Sequence, residues 1–252
     1  MPMEIRVIGL EGIPEVREGD YLGAQIMNAA QRQGTSIDSG DVIVVTQKIV
    51  SKAEGRVVNL TDIEPSPLAV AISEGYRRDP RHTELVLRES KRIVRMDRGV
   101  IISETRHGFN CANAGVDASN IPGATTLALL PVDPDASARR IRQAIQQRLG
   151  VDVAVIISDT FGRPWRSAAV NVAIGVAGFN PLLSYVGQED AYGKMLHTTV
   201  IAVADELAAT AELVTGKVLG VPVSIIKGYL YQPMEDASNQ ALIRSPDKDL
   251  FR

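Results

Sequence analysis

The stretch VAVIISDTFGRPWR, Val153 to Arg166, decides how this chain is read. Its first five residues are apolar and mostly β-branched, a run too short for a helix and suited to a strand buried on both faces. A carboxylate and a hydroxyl, Asp159 and Thr160, follow almost directly. In open α/β sheets, ligands collect outside the carboxyl ends of such strands. Upstream, DVIVVTQ holds a second continuous run, Val42 to Val45, and EIRVIGL reads as a short opening strand. Between these two the spacing of Leu22, Ile26 and Ala29 predicts a helix, capped by Asp20 and stopped at Gly34. Ser66 with Pro67, and Asp79 with Pro80, announce two further helices, because each sets a capping side chain before a proline suited to the first turn. Ile93 to Ile102 reads as a strand pair turning near Asp97 to Gly99. A helix starting at Asp133 or Asp135 carries Ile141, Ala144 and Ile145 to Gly150, and a last one runs from about Ala204 to Thr215 before a strand, Val223 to Ile226. Strands and helices mix throughout, so the class is α/β, or mixed α+β.

At 252 residues the chain is long enough to bury a core without disulfides. Its 27 Lys plus Arg against 30 Asp plus Glu give a net charge of −3, which argues against a generically basic nucleic-acid binder. The most apolar stretches, Val153 to Ile157 and Val172 to Phe179, fall far short of the roughly 18 residues a membrane span needs, so no membrane partner is expected. Glu4 and Arg6 interrupt the opening MPMEIRVIGL where an export signal needs an apolar core. A lone cysteine, Cys111, forms no internal disulfide, and together these features favour the cytoplasm. There is no internal repeat and no linker, and the periodic pattern is weakest around Leu182 to Leu196.

No P-loop, Rossmann fingerprint, HExxH, GxSxG or paired CxxC is present. His82, His107 and His197 lack metal-ligand spacing. The chemistry therefore rests on oxygen donors and cations. Asp159 beside Thr160 suits Mg²⁺ or Mn²⁺, hard ions that take oxygen ligands and bridge to phosphate. Arg163 and Arg166 follow closely and match anionic groups as guanidinium forks, although a turn-capping Asp with solvated arginines reads the same. FNCANAGVDASN crowds Asn113, Gly115, Asp117, Ser119 and Asn120, either a metal and nucleotide loop or a run of good turn formers. Lys52, past a buried strand, is a mobile point charge for phosphate or a turn lysine beside Glu54. The glycine-bearing loop TGKVLGVP, Thr215 to Pro222, offers backbone amides to a nucleotide or simply ends a helix. Glu235 and Asp236 add carboxylates near the C-terminus, where adjacent acids are usually solvated.

Taken together, EGIPEV (Glu11 to Val16), VSKAEGR (Val50 to Arg56), NAGVDASN (Asn113 to Asn120) and ISDTFGRPWR (Ile157 to Arg166) resemble the coenzyme F-420-0:L-glutamate ligase, or gamma-glutamyl ligase, family. The resemblance keeps motif order over nearly the whole chain. It implies a GTP-dependent, GDP-forming amide synthesis: the terminal carboxylate of a deazaflavin precursor is phosphorylated, then attacked by the amine of L-glutamate, and later cycles add glutamates through gamma links. By that similarity Asp117 and Asp159 bind one divalent metal, Mg²⁺ or Mn²⁺, and Asp159 with Thr160 helps bind a second, with K⁺ a further candidate ion. Asp117, Asp159 and Lys52 would then carry the reaction. Gly12, Ile13, Pro14, Glu15 and Val16, with Lys52, Asn120 and the loop Thr215, Gly216, Lys217, Val218, Leu219, Gly220, Val221 and Pro222, look like the nucleotide contacts. Arg163, Arg166 and Lys194 are the candidates for holding substrate.

The sequence departs from the family pattern in two places. Gln47 and Lys48 occupy part of the nucleotide stretch where some members carry small hydroxyl residues. Lys217 stands where a glutamine helping to hold the second metal is expected, and a protonated ammonium cannot ligate one. Either Glu235 or Asp236 replaces that ligand or the second ion binds weakly. The resemblance further implies a homodimer and a two-domain fold, with residues 1–252 forming one ligase unit of unspecified internal boundary and no C-terminal reductase-like domain. A metal-dependent phosphohydrolase and a nucleotide-binding regulatory module are the competing readings.

Overall fold

The two apolar runs that dominate the sequence pair with each other. In the computed structural model, which describes residues 4–249, the chain runs β1 (Arg6–Gly9), α1 (Leu22–Gln33), β2 (Val42–Thr46), α2 (Gln47–Ala53), β3 (Val57–Asn59), α3 (Pro67–Glu74), α4 (Pro80–Glu89), β4 (Ser90–Asp97), β5 (Val100–Thr105), β6 (Asn110–Ala112) and β7 (Thr126–Ala128). It continues through α5 (Pro134–Leu149), β8 (Ala154–Arg163), β9 (Arg166–Phe179), β10 (Leu183–Ser184), β11 (Val200–Ile201), α6 (Val203–Thr215), β12 (Val223–Lys227) and β13 (Pro233–Met234). The fold is therefore mixed α/β. The first three residues of the MPMEIRVIGL opening lie outside the described residues.

Six strands form the main sheet, in the order β1, β12, β2, β8, β9, β13. Its one parallel pair is β2 with β8, in register from Val42 opposite Ala154 to Thr46 opposite Ser158. Parallel neighbours need a long crossover, and residues 47–153 supply it. The period-two alternation of β2 sends Ile43 and Val45 to one face and Val42 and Val44 to the other. The first face is covered by Ile26 and Met27 of α1 and by Ile141 and Ile145 of α5. The second is covered by Ala204, Leu207, Ala208 and Ala211 of α6. Each fully buried Val or Ile contributes about 1.5–3 kcal/mol, so this doubly covered pair is the energetic centre of the molecule. A third core of Leu60, Leu85, Val86, Ile101, Leu127 and Leu129 belongs to the crossover, along with the small sheets β4-β5-β6 and β3-β7.

The predicted caps largely form. Ser66, Asp79 and Asp133 accept from the amides of Ala69, Arg81 and Ala136, each before a proline in the first turn. Gly34 and Gly150 close α1 and α5 at φ 72° and 69°, the left-handed conformation a side chain disfavours. Asp20 does not cap α1. Tyr21 holds that position without a side-chain bond, while Asp20 Oδ2 accepts from the Arg17 amide at 2.8 Å, closing the preceding turn instead. Lys52 lies on α2 and not in a turn, because β2 passes into a helix without a connecting loop. Asp159 and Thr160 do not follow the end of a strand either: β8 continues to Arg163, held by antiparallel pairing with β9. Leu182 to Leu196 is a mostly exposed excursion between the main sheet and α6.

Candidate active site

Three elements meet around Asp159. A register shift between Ile157 and Ser158 breaks the regular β8–β9 ladder just before it, and such irregularities re-aim side chains. Beyond the shift Thr160 faces Asn171, and its hydroxyl donates to Asn171 Oδ1 at 2.7 Å. From α2, Lys48 and Lys52 project one turn apart on the same face. Lys48 Nζ lies 2.8 Å from Asp117 Oδ2, and Lys52 Nζ lies 2.7 Å from Glu15 Oε1. The peptide of Asp117 is pinned to that of Ala128 by two hydrogen bonds, 3.1 and 2.9 Å, which ties the third core to the site.

Between these elements opens a cavity of about 470 Å³. Ile13, Pro14, Glu15 and Val16 form one part of its wall, and Gln47, Lys48 and Lys52 another. Asp159 and Thr160 face it, as do Asn120, Thr215, Gly216, Lys217, Gly220, Val221 and Pro222. Asn120 Nδ2 donates to the Lys217 carbonyl at 3.2 Å, joining the two loops, and Lys217 Nζ reaches 3.5 Å from Thr160 Oγ1. Asp117 is connected to the cavity through Lys48.

Other sequence candidates lie elsewhere. Gly12 is off the wall; its carbonyl accepts from Arg32 at 2.8 Å. Val218 and Leu219 point into solvent, 91% and 63% exposed. Arg163 and Arg166 face each other at the tip of the β8–β9 ribbon, where Arg163 donates to the Ser167 carbonyl. Lys194 sits in an exposed loop held by Asp190. None of these three cations lines the cavity. Glu235 is engaged away from the cavity. It forms a two-pronged pair with Arg142, whose guanidinium also bonds Asp152 and the Val153 carbonyl at the start of β8. The seven residue-to-residue steps of extended chain from Asp152 to Asp159 span on the order of 20 Å, which removes Glu235 and the adjoining Asp236 from the site. Ser158, Asn171 and Glu212 line the cavity without having been singled out by sequence. Asn171 is identified only through its strand partner, and Glu212 only through the last turn of α6.

The two carboxylates differ in charge state. Burial raises the Asp117 carboxyl, but hydrogen bonds from Lys48 and Ser119 outweigh it and hold the group at about 2. Asp159 is pushed up to about 6, first by burial and further by Asp117, against the Thr160 amide and the charges of Lys48 and Lys217. Burial also drives the Cys111 thiol to about 12, so it is no nucleophile at neutral pH. His107 stacks on Phe109 and meets the Pro131 carbonyl at 2.8 Å, a packing role.

The donor set is all oxygen: Asp117, Asp159 and Thr160, with Ser158 and Asn171 beside them. Two carboxylates plus substrate phosphates match how Mg²⁺ is commonly held. The Gln47 side-chain nitrogen is buried without a partner, a donor left over next to the cavity. Among the described residues no three of His, Cys, Asp and Glu gather as a metal cluster. The Asp117 and Asp159 pair suits one ion; the other carboxylates on the cavity wall are Glu15, paired with Lys52, and Glu212. No described helix is long and apolar enough to cross a membrane.

A family model described as F420-0:Gamma-glutamyl ligase matches residues 12–228. The chain is 47% identical over 252 residues to a protein named Coenzyme F420:L-glutamate ligase from Methanothermobacter thermautotrophicus, covering 99% of this chain and 100% of that one. Proteins of the same name from Methanopyrus kandleri and Methanocaldococcus jannaschii are 43% and 40% identical, covering 96% and 99% of this chain and 97% of each relative.

Proposed function

Because the chain belongs to the F420-0:gamma-glutamyl ligase family, we propose that it joins L-glutamate to the terminal carboxylate of a deazaflavin precursor at the expense of GTP, and then adds further glutamates through gamma links. A carboxylate is a poor electrophile. Its oxygen attacks the γ-phosphorus, the bond to the bridging oxygen breaks and GDP leaves, giving an acyl phosphate. The glutamate amine then attacks the acyl carbon, the bond to the phosphate oxygen breaks, inorganic phosphate departs and the nitrogen releases a proton. Both halves bring anions together, so the protein's task is to offset negative charge and hold groups in line.

The observation that carries this reading is the convergence of Lys48, Lys52 and Lys217 with Asp159 and Thr160 on one cavity. On this proposal the Ile13 to Val16 segment, Asn120 and the loop from Thr215 to Pro222 hold the nucleotide, and the lysines face its phosphates. Asp117 and Asp159 hold a divalent ion, which when bound withdraws charge from the phosphates. Lys48 orients the Asp117 carboxylate, and Glu15 keeps Lys52 extended toward the site. Mass spectrometry of the protein with deazaflavin precursor, L-glutamate, GTP and Mn²⁺ tests the reading. Product masses rising by glutamyl units, and lost in Asp159→Asn, are expected. GTP consumption without glutamyl product would instead support a phosphohydrolase, and nucleotide binding without turnover a regulatory module.

A further inference from the structure

The cations of the site are not equivalent. Lys48 and Lys52 are each committed to a carboxylate, Asp117 and Glu15. Lys217 instead lies against a hydroxyl, with Nζ 3.5 Å from Thr160 Oγ1. That hydroxyl spends its proton on Asn171 Oδ1, so the lone pair it turns to Lys217 is the one it would offer a metal ion. The lysine is anchored there, since its carbonyl accepts from Asn120 Nδ2. Of the other carboxylates on the cavity wall, Glu15 is paired with Lys52 and Glu212 stands apart from it, and among the described residues no three acidic, histidine or cysteine side chains gather as a ligand cluster. Two carboxylates balance one divalent ion, and bringing another within a few ångströms of an ammonium is repulsive.

We propose that the Lys217 ammonium supplies the second cation of this site, so that the chain takes one divalent ion with its nucleotide, and Lys217 neutralises the polyphosphate where a second ion would sit. The inference rests on the nucleotide reading above but not on turnover. Free Mn²⁺ is read by its electron paramagnetic resonance signal during titration of the full-length chain saturated with GDP. One tightly bound ion per wild-type chain is expected, two for Lys217→Gln, and one again for Lys217→Arg, which restores the charge. Lys217 sits on an exposed loop, so these variants should melt with the wild type, which a thermal scan verifies. Two ions in the wild type, or one in Lys217→Gln, overturns the proposal. Failure of the ligase reading shows separately, as absence of glutamyl product from wild-type protein given every substrate, whatever the Mn²⁺ count.

Discussion

Asp117 and Asp159 are the same side chain in opposite settings. Asp117 is paid by an ammonium and a serine, whereas Asp159 meets mostly burial and a neighbouring carboxylate. Away from the site, Glu84 shows what such settings do to stability. Its carboxyl takes bonds from the hydroxyl and amide of Ser66 and from Arg88, which hold it at about 2, below its ordinary 4.5. A depressed carboxylate contributes stability that is complete above the unfolded value and is lost as pH falls through the folded one. Glu84→Gln should therefore cost about 1–2 kcal/mol at pH 7, after allowance for solvent screening, and the gap from wild type should close between pH 4.5 and about 2. Urea melts across that range check it; a pH-independent gap would refute it. At this scale the sequence singled out Lys52, Asn120 and Asp159, which the fold gathers on one cavity. It was silent on Ser158, Asn171 and Glu212, common residues whose only distinction is the cavity they face.

Local signals wrote most of the elements. Capping side chain and proline stand together in sequence, so α3, α4 and α5 were legible at their starts. α2 was not, because QKIVSKA is one short helix fused to a strand and carries no cap bond. Nor was the length of the β8–β9 ribbon, since its outer residues are held by each other and not by an apolar pattern. The seating of α5 on β9 depends on Gly175, where an added Cβ would stand 2.4 Å from the Pro134 backbone. Backbone cannot move aside as a flexible side chain does. Gly175→Ala should cost about 2–4 kcal/mol, read as a lowered urea midpoint with an unchanged slope. A midpoint equal to that of wild type would show that α5 can shift freely.

Over the whole molecule, the crossover between two parallel strands contains the third core and delivers Asp117 and Asn120 to a site built on the main sheet. Leu127, 4% exposed in that core, adjoins Ala128, which brackets Asp117. Leu127→Ala should cost about 2–4 kcal/mol through the cavity it leaves. Hydrogen exchange should accelerate within residues 57–129 more than in β2 and β8, and, on the metal site proposed above, Mn²⁺ affinity should fall with it. Uniform acceleration across both regions would contradict the coupling drawn here.

Strand runs, capped helix starts, the α/β class and the motifs of a gamma-glutamyl ligase are written in consecutive residues, where propensity, patterning and order along the chain act without help from distant partners. Tertiary structure alone decided that β2 and β8 are neighbours, that Lys48 meets Asp117 across 69 positions, that Lys217 meets Thr160 across 57, and that Glu235 is spent on Arg142. Contacts between residues so far apart carry no local signal. They exist only once burial of the two apolar strands has closed the crossover and brought its loops over the sheet.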